Sequence, residues 1–233
     1  MFGAYQVGAW KVISRHYKPD LVVGVSIGSL NAWMVACGCD ASIIEEHWLR
    51  GEALAKPRFR FPRSWREGII DPAAAYEPMQ RMHRELKPVL PLGIVARRVA
   101  GFRSAIFRDA QISSWKHLAA SCAIPGVFDL QQIDGVTYAD GGLLDPLPFR
   151  EARKMGATAM LGINCMTWGG FGSDQPQIRP RKRLGWISRD GLRWDRANVI
   201  RWIAKGEEDA NRFLERNPWP GAMLEKTFAE NLF

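Results

Sequence analysis

Asp20-Leu21-Val22-Val23-Gly24-Val25-Ser26-Ile27-Gly28-Ser29-Leu30-Asn31-Ala32 is the stretch whose reading decides the fold. Asp20 to Val25 is a short apolar run rich in β-branched residues, as a buried parallel strand requires. Ile27 to Cys37 reads as a buried helix. Upstream, Ala4 to Tyr17 places Val7, Trp10 and Ile13 at helical spacing, and Pro19 stops that helix. Helix, strand, helix with short joints predicts an α/β layered fold.

The joint itself carries chemistry. Gly24-Val25-Ser26-Ile27-Gly28 is G-x-S-x-G, the pattern of a serine held on a sharp strand-to-helix turn. Both required neighbours are present. Such a turn lifts the Ser26 hydroxyl clear of the sheet. The helix N-terminus beneath offers unpaired N–H groups and a partial positive charge. The Ile27 N–H is then a donor to a developing oxyanion. The alternative is a Gly/Ser-rich turn with no chemistry, or one that binds phosphate.

A serine hydroxyl needs a base to become a good nucleophile. The histidines are His16, His47, His83 and His117. The order Ser, then acid, then His of an α/β-hydrolase fails for the best acid, Asp140, because no histidine follows it. His117 sits in a predicted amphipathic helix and reads as a packing or surface residue. Asp140 follows a strand, Val136-Thr137-Tyr138, and precedes Gly141-Gly142, which allow a tight turn beside another group. A Ser26–Asp140 dyad is the economical reading, against a plain Asp-Gly-Gly turn.

Further along, Asp71-Pro72 starts a helix that runs to about Leu86. Gly93 to Phe107 resembles a hairpin, and Ser113 to Ser121 a helix. Pro148 to Met155 is predicted helical, Thr158 to Ile163 a buried strand, and Asp195 to Glu215 a final helix. Ala55 to Arg66 and Thr167 to Gly185 read as loops. No repeat or linker divides residues 1–233, so one domain is expected.

Four segments resemble the patatin-like phospholipases, in the family's order. They are Gly3-Ala4-Tyr5-Gln6-Val7-Gly8, the elbow Gly24 to Ala32, Ala120-Ser121-Cys122-Ala123-Ile124-Pro125-Gly126-Val127-Phe128, and Tyr138-Ala139-Asp140-Gly141-Gly142. The resemblance implies a three-layer α/β/α sandwich with a mainly parallel central sheet. It implies hydrolysis of lipid acyl esters through an acyl-serine, with Ser26 as nucleophile, Asp140 as proton acceptor, and neither metal nor cofactor. Gly24, Gly28, Gly141 and Gly142 match motif glycines.

One departure concerns the oxyanion donors. Of the family's run G-G-G-x-R/K-G only Gly3 is present, with Met1 and Phe2 at the last variable positions, and the strand before it is absent. A lost donor costs about 10²–10³ in rate. The expectation is a true start upstream of Met1. The alternative is a catalytically impaired member that binds lipid or acts as a scaffold.

The net charge is +8, which favours anionic partners. Arg58, Arg60, Arg63 and Arg66 alternate with Phe59, Phe61 and Trp65; Arg179, Arg181, Lys182 and Arg183 stand near Trp186. Such stretches suit an anionic lipid surface, and the first is expected to cover the active-site mouth as a lid. The same composition suits nucleic acid, but no recognised module is present and no nucleic acid is expected. No apolar run reaches the ~20 residues of a membrane span, and the first residues lack a secretory pattern. A cytoplasmic or peripheral-membrane protein is expected. Cys37, Cys39, Cys122 and Cys165 match no zinc spacing and read as buried free thiols. Trp10, Trp33 and Trp48 read as core.

Overall fold

The structure is a computed structural model and describes residues 1–51, 56–169, 174–186 and 190–217. Helix α1 (Gly3–Ile13) leads into strand β1 (Val22–Val25), which passes directly into α2 (Ile27–Ala36) and then α3 (Ala41–Leu49). Helix α4 (Ala73–Glu85) precedes the antiparallel pair β2 (Leu92–Arg98) and β3 (Ser104–Arg108). Helix α5 (Lys116–Ser121), strands β4 (Gln131–Ile133) and β5 (Val136–Asp140), and helix α6 (Phe149–Lys154) follow. Strands β6 (Gly162–Ile163) and β7 (Gln177–Ile178) form a small parallel pair, and α7 (Arg196–Arg216) is the last described helix.

Local chemistry accounts for several boundaries. Asp71 Oδ1 accepts from the Ala73 N–H at 3.0 Å, and Pro72 fixes the entry to α4. Asp195 Oδ1 accepts from the Asn198 N–H at 2.9 Å and caps α7. Helix α7 buries Val199, Trp202, Ile203, Gly206 and Ala210, an apolar stripe at helical spacing. That stripe lies on α1 at very short range: a Cβ on Gly206 would stand 2.0 Å from the Tyr5 carbonyl oxygen, and one on Gly8 1.9 Å from that of Ile203.

The sheet is the part that positions the site. Strand β2 is its centre. One edge of β2 carries β3 over residues 93–97. The other edge is shared: β1 runs parallel to it and ends with Val25 opposite Val95, while β5 runs antiparallel and ends with Asp140 opposite Ala96. Two strands therefore arrive from opposite directions and stop end to end at adjacent registers of β2. Strand β4 completes the sheet on β5.

Helices cover both faces. Gly24 and Ile94 are register partners on the face that α2 packs, where Leu92, Ile94 and Leu118 join the main core. Helix α6 approaches the other face, with Met155 against Gly93. The three-layer α/β arrangement agrees with expectation. The sheet does not: it is mixed, with β1–β2 parallel and the β2–β3, β2–β5 and β4–β5 pairs antiparallel. Apolar runs reveal burial on both faces but carry no direction, so β5 could not be oriented from its residues. The strand expected over Thr158 to Ile163 also shrinks to Gly162–Ile163, outside the main sheet, with Thr158 and Ala159 exposed. Helix α3 was not among the predicted elements; of its residues only Trp48 reads as core from the sequence.

Trp33 and Trp48 are buried and Trp10 is half-buried. All four cysteines are free thiols; Cys165 is buried and the other three half-buried. Of the predicted segments, Ala55 and residues 170–173 of the two loops, and residues 52–54, 187–189 and 218–233 of the expected domain, lie outside the described residues.

Candidate active site

Ser26 is the single residue between β1 and α2. Its backbone sits at φ 53° and ψ −135°, a region costing on the order of 1–3 kcal/mol for a residue with a side chain. Neighbouring groups hold it there. Its N–H donates to Ser121 Oγ at 2.8 Å, and Ser121 Oγ donates onward to the Val95 carbonyl at 2.7 Å. Its carbonyl accepts from the Ser29 N–H at 2.9 Å and from Ser29 Oγ at 2.7 Å. Gly24 makes the bend feasible, since a Cβ there would lie 2.5 Å from the Gly28 carbonyl oxygen and 2.6 Å from the Ser29 Cα.

Asp140 closes the other side. Ser26 Oγ donates to Asp140 Oδ2 at 2.5 Å, while the Gly142 N–H donates to Oδ1 at 2.7 Å. The Asp140 N–H in turn donates to the Ala123 carbonyl at 2.8 Å. Asp140 is only 2% exposed. Burial pushes its carboxyl up to about 6, against the opposing pull of the bonds from Ser26 and Gly142. A carboxyl so poised can both take and return a proton near neutral pH.

Ser26 opens onto a cavity of about 1330 Å³ whose wall includes Ile27, Leu30, Met79, Met82 and Cys122. Ile27 opens α2 and reaches the cavity. Met1 and Phe2 also line it, whereas Gly3 does not. Gly3 stands behind Ile27, where a Cβ would lie 2.5 Å from the Trp48 ring and 2.9 Å from Ile27 Cγ1. Gly28 faces the Gln6 amide, and Gly141 starts the turn against the Val95 carbonyl.

Of the histidines, His117 is buried and stacks edge-on against Phe107 at 4.6 Å, a packing position. His47 lines the cavity from α3, and burial together with Arg81 holds its imidazole below the usual range. The side chain that accepts from Ser26 Oγ is Asp140, not a histidine. Sequence reasoning gave no part to Ser121, Ser29 or His47. Ser121 lies inside the Ala120–Phe128 segment, but its link to the elbow spans 95 positions of sequence separation and leaves no local mark. Among the described residues no group of three His, Cys, Asp or Glu stands where it could hold a metal ion.

The family model for patatin-like phospholipase matches residues 1–153. The chain belongs to the patatin-like phospholipase family. An uncharacterised NTE family protein of Mycobacterium tuberculosis is 32% identical over 100 residues, which cover 43% of this chain and 27% of that protein. The uncharacterised protein YjjU of Escherichia coli is 28% identical over 102 residues, covering 43% of this chain and 28% of its own. The matched stretch thus spans about a quarter of these curated relatives. VipD from Legionella pneumophila shares the fold: its crystal structure superposes with a TM-score of 0.59 over 92% of this chain and 65% of VipD, at 12% identity.

Proposed function

We propose that this patatin-like protein is a serine acyl-ester hydrolase of lipids, of the phospholipase A or lipid acyl hydrolase type, working through a Ser26–Asp140 dyad. The observation that carries the reading is the 2.5 Å bond to the buried Asp140 carboxylate from the Oγ of Ser26, a residue that lines a largely apolar cavity.

The chemistry follows from that contact. Asp140 takes the Ser26 proton as Oγ attacks the ester carbonyl, and the tetrahedral oxyanion forms beside the Ile27 N–H at the start of α2. Collapse breaks the bond to the alcohol, which leaves with the proton held by Asp140. An acyl-serine remains. Water then gives a proton to Asp140 and attacks the acyl carbon; Ser26 Oγ departs and recovers that proton, releasing the fatty acid. The apolar wall takes the acyl chain out of water. Family membership supports a lipid substrate, and such substrates reside in membranes or aggregates.

A fluorophosphonate probe and a chromogenic ester test this directly. The expected result is labelling that disappears in Ser26→Ala, with ester turnover reduced by at least about 10³. Full turnover in Ser26→Ala refutes the assignment.

A further inference from the structure

The loop at residues 57–71 is held more firmly than a surface loop needs to be. Phe59 and Ile70 form an antiparallel bridge. The Arg60 N–H donates to the Ile69 carbonyl and the Asp71 N–H to the Arg58 carbonyl, each at 2.8 Å. The returning limb is fastened to the body of the protein: the Ile69 N–H donates to Gly126 at 3.1 Å, the Ile70 N–H to Val127 at 3.0 Å, and the Leu130 N–H to Arg66 at 2.8 Å. Arg60 is tied down by Asp129 and by the Gly68 carbonyl.

This anchored loop turns its rings outward. Phe61 is 95% exposed, Phe59 72% and Trp65 69%, with Ile69 beside them. Eleven large apolar residues are exposed among the described residues, and four of them fall here. That clustering separates the loop from the scattered apolar residues of an ordinary surface. Charge adds a sign. Arg60 is neutralised by Asp129, but Lys56, Arg58, Arg63 and Arg66 have no acidic partner among the described residues. The loop's two acids are each engaged by a backbone N–H, Glu67 by that of Arg63 at 2.8 Å and Asp71 by that of Ala73 at 3.0 Å. Arg66 donates to Gln132 at 2.8 Å, and its guanidinium stands 6.0 Å from the centre of the Trp65 ring.

The loop is also continuous with the cavity. Lys56, Pro57, Arg58, Ile70 and Asp71 form part of the wall onto which Ser26 opens. A second basic-aromatic segment reaches the same wall. Trp186 is exposed with Arg183 over its ring, and its carbonyl accepts from the N–H of Gly191, a wall residue.

We propose that residues 57–71 dock the protein on an anionic lipid surface, the rings of Phe59, Phe61 and Trp65 entering the headgroup–acyl boundary and the arginines meeting the headgroups. The cavity mouth then lies at the surface that holds the substrate. The purpose of this docking rests on the lipid-hydrolase reading; its test does not.

The full chain carrying Ser26→Ala, which removes turnover from the measurement, is floated with phosphatidylcholine vesicles and with phosphatidylcholine–phosphatidylglycerol vesicles. Flotation is expected with the anionic vesicles, weaker with the neutral ones, and falling as salt rises. Adding Arg63→Gln and Arg66→Gln is expected to weaken it about thirtyfold, and Phe61→Ser with Trp65→Ser to weaken it further. In a chain that keeps Ser26, the same four substitutions are expected to leave hydrolysis of a soluble short-chain ester unchanged, which shows that the fold is intact. No flotation with either vesicle, equal flotation of the substituted chain, or retention of a single-stranded oligonucleotide in place of vesicles each overturns the proposal. Failure of the hydrolase reading shows separately, as absence of ester turnover with flotation unaffected.

Discussion

Asp140 is asked to do two things that conflict. As a proton acceptor it must be ionised, yet it is buried, and burial disfavours the charge. Turnover is therefore expected to rise with pH through about 6, the value to which its carboxyl is pushed. Stability runs the other way. The folded carboxyl holds its proton more tightly than an unfolded aspartate, whose value is near 3.9. The stabilising contribution is complete below about pH 4 and is lost as pH rises through about 6, on the order of 2–3 kcal/mol. Asp140→Asn keeps an acceptor for the Gly142 N–H without the charge. It is expected to lower turnover by at least about 10³ and to raise the melting temperature at pH 8 by several degrees. A pH–rate profile and paired thermal melts check both; an Asn variant melting lower at pH 8 contradicts the account of Asp140.

Helices α1 and α7 meet through glycine. Gly206 is mid-helix, where alanine would gain about 1 kcal/mol in propensity. Its Cβ would nonetheless fall 2.0 Å from the Tyr5 carbonyl oxygen, a backbone atom that cannot step aside alone. Overpacking of this kind costs about 1–3 kcal/mol or more, so Gly206→Ala is expected to be destabilising in denaturant titration despite the better helix former. Elements with such local signals were readable. The β-branched run of β1, the Asp71-Pro72 entry to α4 and the Asp195 cap of α7 each mark their own boundary. The joining of Ser26 to Asp140 was reachable by combining the elbow with the want of a usable histidine and the Asp-Gly-Gly turn, and the resemblance agrees with it. The direction of β5 was not readable at all, because it depends on which edge of β2 remains free once β1 and β3 are in place. Gly206 gave no warning either: its neighbour Tyr5 lies some two hundred residues away.

At the scale of the molecule the cavity is large and mostly lined by apolar side chains. Each methylene removed from water is worth about 0.8 kcal/mol, a factor of about four. The kcat/KM for a series of 4-nitrophenyl esters is expected to climb steeply with acyl length, by roughly two orders of magnitude over four added methylenes, until the chain outgrows the wall. A flat series argues that the acyl group does not enter. No helix among the described residues is long and apolar enough to cross a membrane.

The end-to-end meeting of β1 and β5 on β2 also has a consequence in time. Ser26 and Asp140 are 114 positions apart and come together only after both strands have docked on a third that lies between them in the chain. As the polypeptide is synthesised, the strained serine is complete long before its carboxylate exists, and non-local strand pairing is slow to form. Assembly of the pair is thus expected to be a late event in folding. Detachment of β5 from β2 separates it at once, so loss of the Ser26–Asp140 contact should precede global melting whenever that short pairing opens first.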